Sequence, residues 1–265
     1  MDTLIRHTTS IAEHAGRLIL KWYDKGTHSV VYKQDSSPVT QADLESDDYI
    51  RSALSDTGIP VVSEETDSPY PLRKDLDQFW LVDPLDGTKD FLQQNGEFTV
   101  NIALIKDRVP ILGVIHAPAI GLTYYAQSGE GAFCKEGTVT RKLPCFPPPP
   151  ALTATASRQH LSFATEEFLK MNGITDCVMK GSSLKFCAVA SGEAMIYPRF
   201  EGSMEWDIAA GQAIVSEAGC RILDLITGKV PEYNKPDLHN NPFIVCSSRI
   251  DIGTLNIPSL QGITQ

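Results

Sequence analysis

The chain has 265 residues, 42% of them hydrophobic, which is enough to bury a substantial core in one large domain or two joined smaller ones. Thirty-three acidic residues against 23 basic ones leave a net charge of -10, which repels a nucleic-acid polymer; a small phosphate can still bind where divalent cations stand between it and the carboxylates. No apolar run approaches the roughly 20 residues of a membrane span, the N-terminus lacks a signal-peptide core, and the six cysteines show no CxxC spacing, so a soluble cytoplasmic protein with reduced thiols is expected.

Leu4, Thr8, Ile11, Ala15, Leu18 and Trp22 recur at steps of three and four and predict an amphipathic helix ending before Gly26. A second helix is expected over residues 41–54, with Asp43, Asp47, Ile50 and Leu54 on one face, so that carboxylates point towards an apolar side. Strands are expected at 60–63, 79–82, 98–105, 111–116, 122–125 and 132–135, the first two ending abruptly in acids. Gly129-Glu130-Gly131 lies between the last two of these and reads as a hairpin turn. The prolines Pro147 to Pro150 can continue neither a helix nor a central strand and are read as a stiff connector between an α+β half, 1–146, and an α/β half, 151–265. In the second half strands are expected at 151–156, 221–223 and 243–246, and helices at 165–172, 183–191 and 206–218, the last closed by Gly219.

Asp83-Pro84-Leu85-Asp86-Gly87-Thr88 follows the apolar run Phe79 to Val82 directly. Pro84 stiffens this backbone and Gly87 permits a tight turn, so the carboxylates of Asp83 and Asp86 and the carbonyl of Leu85 can converge on hard cations; oxygen-only ligands favour magnesium or manganese over zinc. In isolation such a segment is more often just a solvated turn. Acids recur, however, at two further element ends, Ser63-Glu64-Glu65 and Met204-Glu205-Trp206-Asp207, although Asp207 can also serve simply as a carboxylate at a helix N-terminus.

Together, Glu64-Glu65, the segment Asp83 to Thr88 and Trp206-Asp207-Ile208-Ala209-Ala210-Gly211 resemble the three metal motifs of the inositol monophosphatase superfamily of lithium-sensitive phosphatases, in order and spacing, across nearly the whole chain. Thr88-Lys89-Asp90-Phe91, the run Gly181 to Phe186 and Tyr197-Pro198-Arg199 are similar to its 3′(2′),5′-bisphosphate nucleotidase branch, the CysQ type. The resemblance implies a layered αβαβα sandwich of the inositol monophosphatase and fructose-1,6-bisphosphatase type, with two or three Mg2+ ions in a cleft between the halves. It implies hydrolysis of the 3′-phosphate of adenosine 3′,5′-bisphosphate to AMP and phosphate. Glu64, Asp83 and the Leu85 carbonyl would hold one magnesium, and Asp83, Asp86 and Asp207 a second; such a pair acidifies water and stabilises charge during in-line displacement. Asp43 would pair with Thr88, with Glu64 also in a catalytic role, to activate the attacking water. Asp86, Gly87, Thr88 and Asp207 would contact the substrate, Ser182, Lys185 and Arg199 would meet the second phosphate, and His160, in the similar segment Ser157-Arg158-Gln159-His160, is a further candidate near the substrate. One departure is the segment Arg199 to Met204, where this branch commonly carries a glycine-proline-threonine run.

Rival readings fit less well. An aspartyl-phosphate enzyme requires DxD, whereas two residues separate Asp83 from Asp86, and neither GxSxG nor GxGxxG is present. A monoester phosphatase acting on inositol or sugar phosphates, and a non-catalytic nucleotide or magnesium sensor, remain alternatives. Oligomeric state, and contact of the first helix with a membrane surface through Arg6, Arg17 and Lys21, stay open.

Overall fold

Runs such as Phe79 to Val82 are apolar at every position because both faces of their sheet are covered. A computed structural model describes residues 3–26, 30–32, 38–66, 68–158 and 161–260. A ribbon of β1 (Val30–Tyr32) and β2 (Pro38–Thr40) precedes the main sheet. That sheet has seven strands in chain order, β3 (Val61–Ser63), β4 (Gln78–Asp86), β5 (Thr99–Lys106), β6 (Val109–Ala117), β7 (Leu122–Gln127), β8 (Gly131–Glu136) and β9 (Val139–Lys142). Only β3 and β4 run parallel; the other neighbours are antiparallel. A second sheet is built from β10 (Thr153–Ser157), β11 (Asp176–Lys180), β12 (Ile196–Arg199), β13 (Arg221–Asp224) and β14 (Phe243–Cys246), in the spatial order β11-β10-β12-β14-β13. Its first three strands are parallel, and β14 is antiparallel to both its neighbours.

The helices are α1 (Thr3–Tyr23), α2 (Gln41–Ser55), α3 (Tyr70–Arg73), α4 (Thr88–Leu92), α5 (Phe163–Met171), α6 (Leu184–Ser191) and α7 (Glu205–Glu217). α1 and α2 cover one face of the seven-stranded sheet, where Trp80, Val82, Ile102 and Leu104 point. Phe79, Leu81, Ala103 and Ile105 point to the other face and pack with α6 and α7. The five-stranded sheet lies against the far side of α6 and α7, and α5 covers its outer face through Phe168. The expected αβαβα layering follows. Gly113 of β6 lets α7 approach: a Cβ there would lie 2.5 Å from the Ala210 carbonyl oxygen. The chain passes between the sheets through the segment containing Pro147 to Pro150, and α6 and α7, although later in sequence, share one apolar cluster with the first sheet.

The structure departs from the sequence expectations in particular places. The buried face of α1 also includes Ile5, Ala12, Gly16 and Ile19, while Leu18 and Trp22 are only partly buried. β9, β11 and β12 were not expected. β9 is exposed along its whole length and so has no apolar pattern, and β12 contains Pro198, which argues against a central strand. That proline is tolerated because β12 pairs with β10 only at Ile196, so no neighbour there requires its missing N–H. The hairpin turn at Gly129 to Gly131 forms as expected, all six cysteines are free, and no described helix is long and apolar enough to cross a membrane.

Candidate active site

The acidic end of β4 is shaped by a bulge. Asp83 lies opposite Asn101 of β5, but Asp86 lies opposite Thr99, so β4 carries one extra residue between them. A bulge bends its strand and re-aims the side chains around it, and Pro84 fits there because it has no N–H to donate. The Pro84 carbonyl accepts a bond from Ser46 Oγ of α2 at 2.9 Å, and the Leu85 N–H donates to Asp83 Oδ1 at 3.1 Å. Gly87, with φ of 88°, then takes the left-handed conformation that turns β4 into α4.

Three other elements bring acids to this end. Glu64 follows β3, and its N–H donates to the Val82 carbonyl at 3.1 Å. Asp47 of α2 anchors the same strand end by accepting from Ser63 Oγ. Asp43 sits in the first turn of α2 and accepts from Thr40 N–H at 2.8 Å and Thr40 Oγ1 at 2.6 Å. Asp207 occupies the same place in α7 and accepts from the Met204 N–H at 2.8 Å. Both carboxylates therefore cap their helices and face the other acids as well.

Their proximity shows in their protonation. Burial, then the charges of Glu64, Asp86, Asp207 and Asp43, push the Asp83 carboxyl well above the ordinary range. Burial, then Asp86, raises Asp207 to about 8, against the Met204 N–H. Burial raises Asp43 to about 6, against its bonds from Thr40. The structure thus brings Glu64, Asp83, Asp86, Asp207 and Asp43 into one electrostatic cluster. Among the described residues no three such groups are already closed into a metal cage. Asp86 Oδ2 accepts from Ser182 Oγ at 2.7 Å and Ser183 Oγ at 2.8 Å. The donor set still fits a hard cation: it is all oxygen, it is buried at Asp83, and the charges acting most strongly on that carboxyl, those of Glu64, Asp86, Asp207 and Asp43, are negative.

A cavity of about 490 Å³ opens over the cluster. Glu64, Asp86, Gly87, Thr88 and Asp207 line it together with Ser182, Lys185 and Arg199. Asp43, Asp83 and Leu85 do not line it. Asp43 reaches it through Thr88, whose Oγ1 donates to Asp43 Oδ1 at 3.3 Å, with the Leu85 carbonyl an alternative acceptor at 3.4 Å. Lys185 is buried, donates to the Ser182 carbonyl at 2.6 Å and sits 5.7 Å from the centre of the Tyr197 ring. Burial lowers its pKa to about 8, while Asp86 pulls the other way. Arg199 donates to the Gly202 carbonyl at 3.0 Å, and its Nε is buried with no hydrogen-bond partner. His160 lies outside the described residues.

The sequence reading missed the residues that hold these groups in place. The Ser183 hydroxyl accepts from Asn101 Nδ2 at 2.8 Å and has the Asp207 carbonyl oxygen, at 2.9 Å, as the alternative acceptor to Asp86 Oδ2. Thr99 Oγ1 lies 2.6 Å from Ser182 Oγ. Asn101 and Thr99 are polar residues within an apolar strand, which is the signal that could have found them. Thr40, three residues before Asp43, is likewise legible as the first half of a capping box.

The model of the inositol monophosphatase family matches residues 1–260. The 3′(2′),5′-bisphosphate nucleotidase CysQ of Salmonella typhimurium is 41% identical over 243 residues, 90% of this chain and 97% of that relative. The CysQ of Escherichia coli strain K12 is 40% identical, with the same coverage. Among solved structures, CysQ from Bacteroides thetaiotaomicron superposes with a TM-score of 0.84 at 38% identity, covering 94% of this chain and 99% of that one. The IMPase of Thermotoga maritima superposes with a TM-score of 0.72 at 25% identity, covering 93% and 92%. With its five layers, the acidic end of β4 and a match that runs from the first residue to residue 260, the chain belongs to the inositol monophosphatase family.

Proposed function

We propose that the chain is a metal-dependent 3′(2′),5′-bisphosphate nucleotidase that hydrolyses the 3′-phosphate of adenosine 3′,5′-bisphosphate, giving AMP and inorganic phosphate. The observation that carries this reading is one cavity lined both by acids of the cluster and by the cationic side chains Lys185 and Arg199. A monophosphate needs only the first; a nucleotide with two phosphates uses both. The kinship with enzymes named for this activity supports the same reading.

Glu64, Asp83, the Leu85 carbonyl, Asp86 and Asp207 would hold magnesium, two or three ions, whose part is to acidify water and neutralise charge on the phosphate. The Thr88 hydroxyl, donating to Asp43, directs its lone pairs towards water, and Asp43 receives the proton. A carboxylate raised to about 6 is a better base near neutrality than an ordinary one. Gly87 and Thr88, at the turn into α4, offer backbone N–H groups to the scissile phosphate. Lys185 and Arg199 pair with the second phosphate, and the unmet Arg199 Nε gives a reason for an anion to settle beside it. Ser182 contributes mainly through Asp86 and Lys185, since its hydroxyl is turned to Asp86 and its carbonyl to Lys185. His160 follows Arg158 in sequence and is retained as a candidate contact.

Phosphate release from adenosine 3′,5′-bisphosphate and from inositol 1-phosphate, measured with magnesium, tests the reading. The bisphosphate is expected to turn over with the higher kcat/KM. A clear preference for inositol phosphate would reject the nucleotidase assignment, and nucleotide binding without turnover would point to a sensor.

A further inference from the structure

Glu97, in the loop between α4 and β5, lies outside the cavity lining yet ties three segments together. Its carboxylate accepts two bonds from the Arg158 guanidinium, from Nε and Nη2, both at 2.8 Å. It also accepts the Gly181 N–H at 2.8 Å. Arg158 Nη2 donates in addition to the Met179 carbonyl at 2.7 Å. One carboxylate of the first half thus clasps the ends of β10 and β11 in the second half. Most surface ion pairs contribute little, but this one is bidentate, shares its acceptor with a backbone N–H, and has its Glu97 side chain only 14% exposed.

The clasp ends where the cavity begins. A Cβ on Gly181 would lie 2.7 Å from the Glu97 carbonyl oxygen, so the two backbones meet with no room to slide. The next residue, Ser182, is held at φ of 52°, a left-handed conformation that a serine keeps only when its surroundings enforce it. From that residue the hydroxyl reaches Asp86 and the carbonyl receives Lys185 Nζ.

We infer that Glu97 and Arg158 are positioning residues that set the affinity for the second phosphate, by fixing the turn at Gly181 and Ser182 on which Lys185 is seated. The inference rests on the nucleotidase reading for its ligand. Asp86 retains Ser183 when the turn loosens, whereas Lys185 has no other hydrogen-bond acceptor among its described contacts. Loss of the clasp therefore acts on binding of the bisphosphate more than on chemistry.

The test uses the full chain with magnesium and compares adenosine 3′,5′-bisphosphate with adenosine 3′-monophosphate in E97A, R158A and the double variant. KM for the bisphosphate is expected to rise about tenfold in each single variant, the loss of one charge-assisted contact, with kcat and the monophosphate KM nearly unchanged. The double variant should be no worse than E97A, because both act through one link. E97Q, which keeps an acceptor for Gly181, should recover part of the loss. Additive effects, equal effects on both substrates, or unchanged KM values would overturn the inference. Amide hydrogen exchange at Gly181 reads the clasp without any substrate, so it separates this inference from the nucleotidase reading. Exchange should be about tenfold faster in R158A, a half-exposed site where folding is not at stake, and wild-type protection there would overturn the inference even if the bisphosphate were no substrate.

Discussion

In the proposed reaction Thr88, the first residue of α4, and Asp43, in the first turn of α2, would divide one task. Asp43 is fixed by Thr40 on its Oδ2, which leaves Oδ1 to the Thr88 hydroxyl. Thr88→Val keeps the volume of that side chain and removes only the hydroxyl, so kcat should fall about a hundredfold, the scale of a lost general base, with little change in KM. Stopped assays of phosphate release give both constants, and near-wild-type kcat would remove Thr88 from the mechanism. Lys185 predicts a different signature. With its pKa lowered to about 8, it is mainly charged at neutral pH and loses its charge as pH rises through 8. Lys185→Ala should raise KM for a bisphosphate about tenfold and for a 3′-monophosphate far less, and the wild-type KM for the bisphosphate should itself climb above pH 8. An equal loss on both substrates would place Lys185 elsewhere in the reaction.

Where α1 crosses the seven-stranded sheet, Gly16 leaves room for the His116 ring of β6: a Cβ on Gly16 would lie 2.5 Å from that ring. His116 Nδ1 bonds Thr123 Oγ1 at 2.9 Å, and that hydroxyl donates to Glu13 Oε1 at 3.2 Å. Burial lowers the His116 pKa to about 4, against Glu13, while Lys135 and Arg17 add to the lowering. The unfolded chain takes up a proton near 6.5 and the folded chain does not until about 4, so stability falls as pH drops through that window. Between pH 7 and pH 5 this group alone should cost about 2 kcal/mol, and His116→Gln should flatten the decline by that amount in urea unfolding. An unchanged slope would show that His116 is charged in the folded protein. The same packing explains which elements were legible. α1, α2, α7 and the strands from β4 to β8 announce themselves because each buries one stripe or both faces. β9 and β11 are edge strands with little burial, and α4 is too short for a period to show. At the site, the acids were legible as motifs at element ends. The bulge at Pro84, the Ser183 and Asn101 bonds and the Glu97 clasp were not, because each joins residues far apart in sequence and depends on register.

For the molecule as a whole, the cluster is a charge problem gathered from distant parts of the chain. Glu64, Asp83 and Asp86 arrive on the seven-stranded sheet, whereas Asp207 arrives on α7, after the passage to the second sheet. The net charge of -10 overall adds to their repulsion, which Arg199 offsets only in part at Asp207. A divalent cation gripped by acids from both sides of the proline segment would relieve that repulsion and bridge the two halves. Magnesium should therefore stabilise the fold as well as support turnover: at a hundredfold excess over its dissociation constant, the gain is about 2.7 kcal/mol, which in a chain of this length raises Tm by roughly 5 to 10 °C. Chelation should reverse the shift and abolish phosphate release. Asp83→Asn should fold with a Tm at or above that of the metal-free wild type, since it removes a buried carboxyl surrounded by like charges, yet it should respond to magnesium weakly or not at all. Thermal melts of the two proteins with and without magnesium decide the point: an Asp83→Asn protein that gains as much as the wild type would show that the cation binds somewhere other than this cluster.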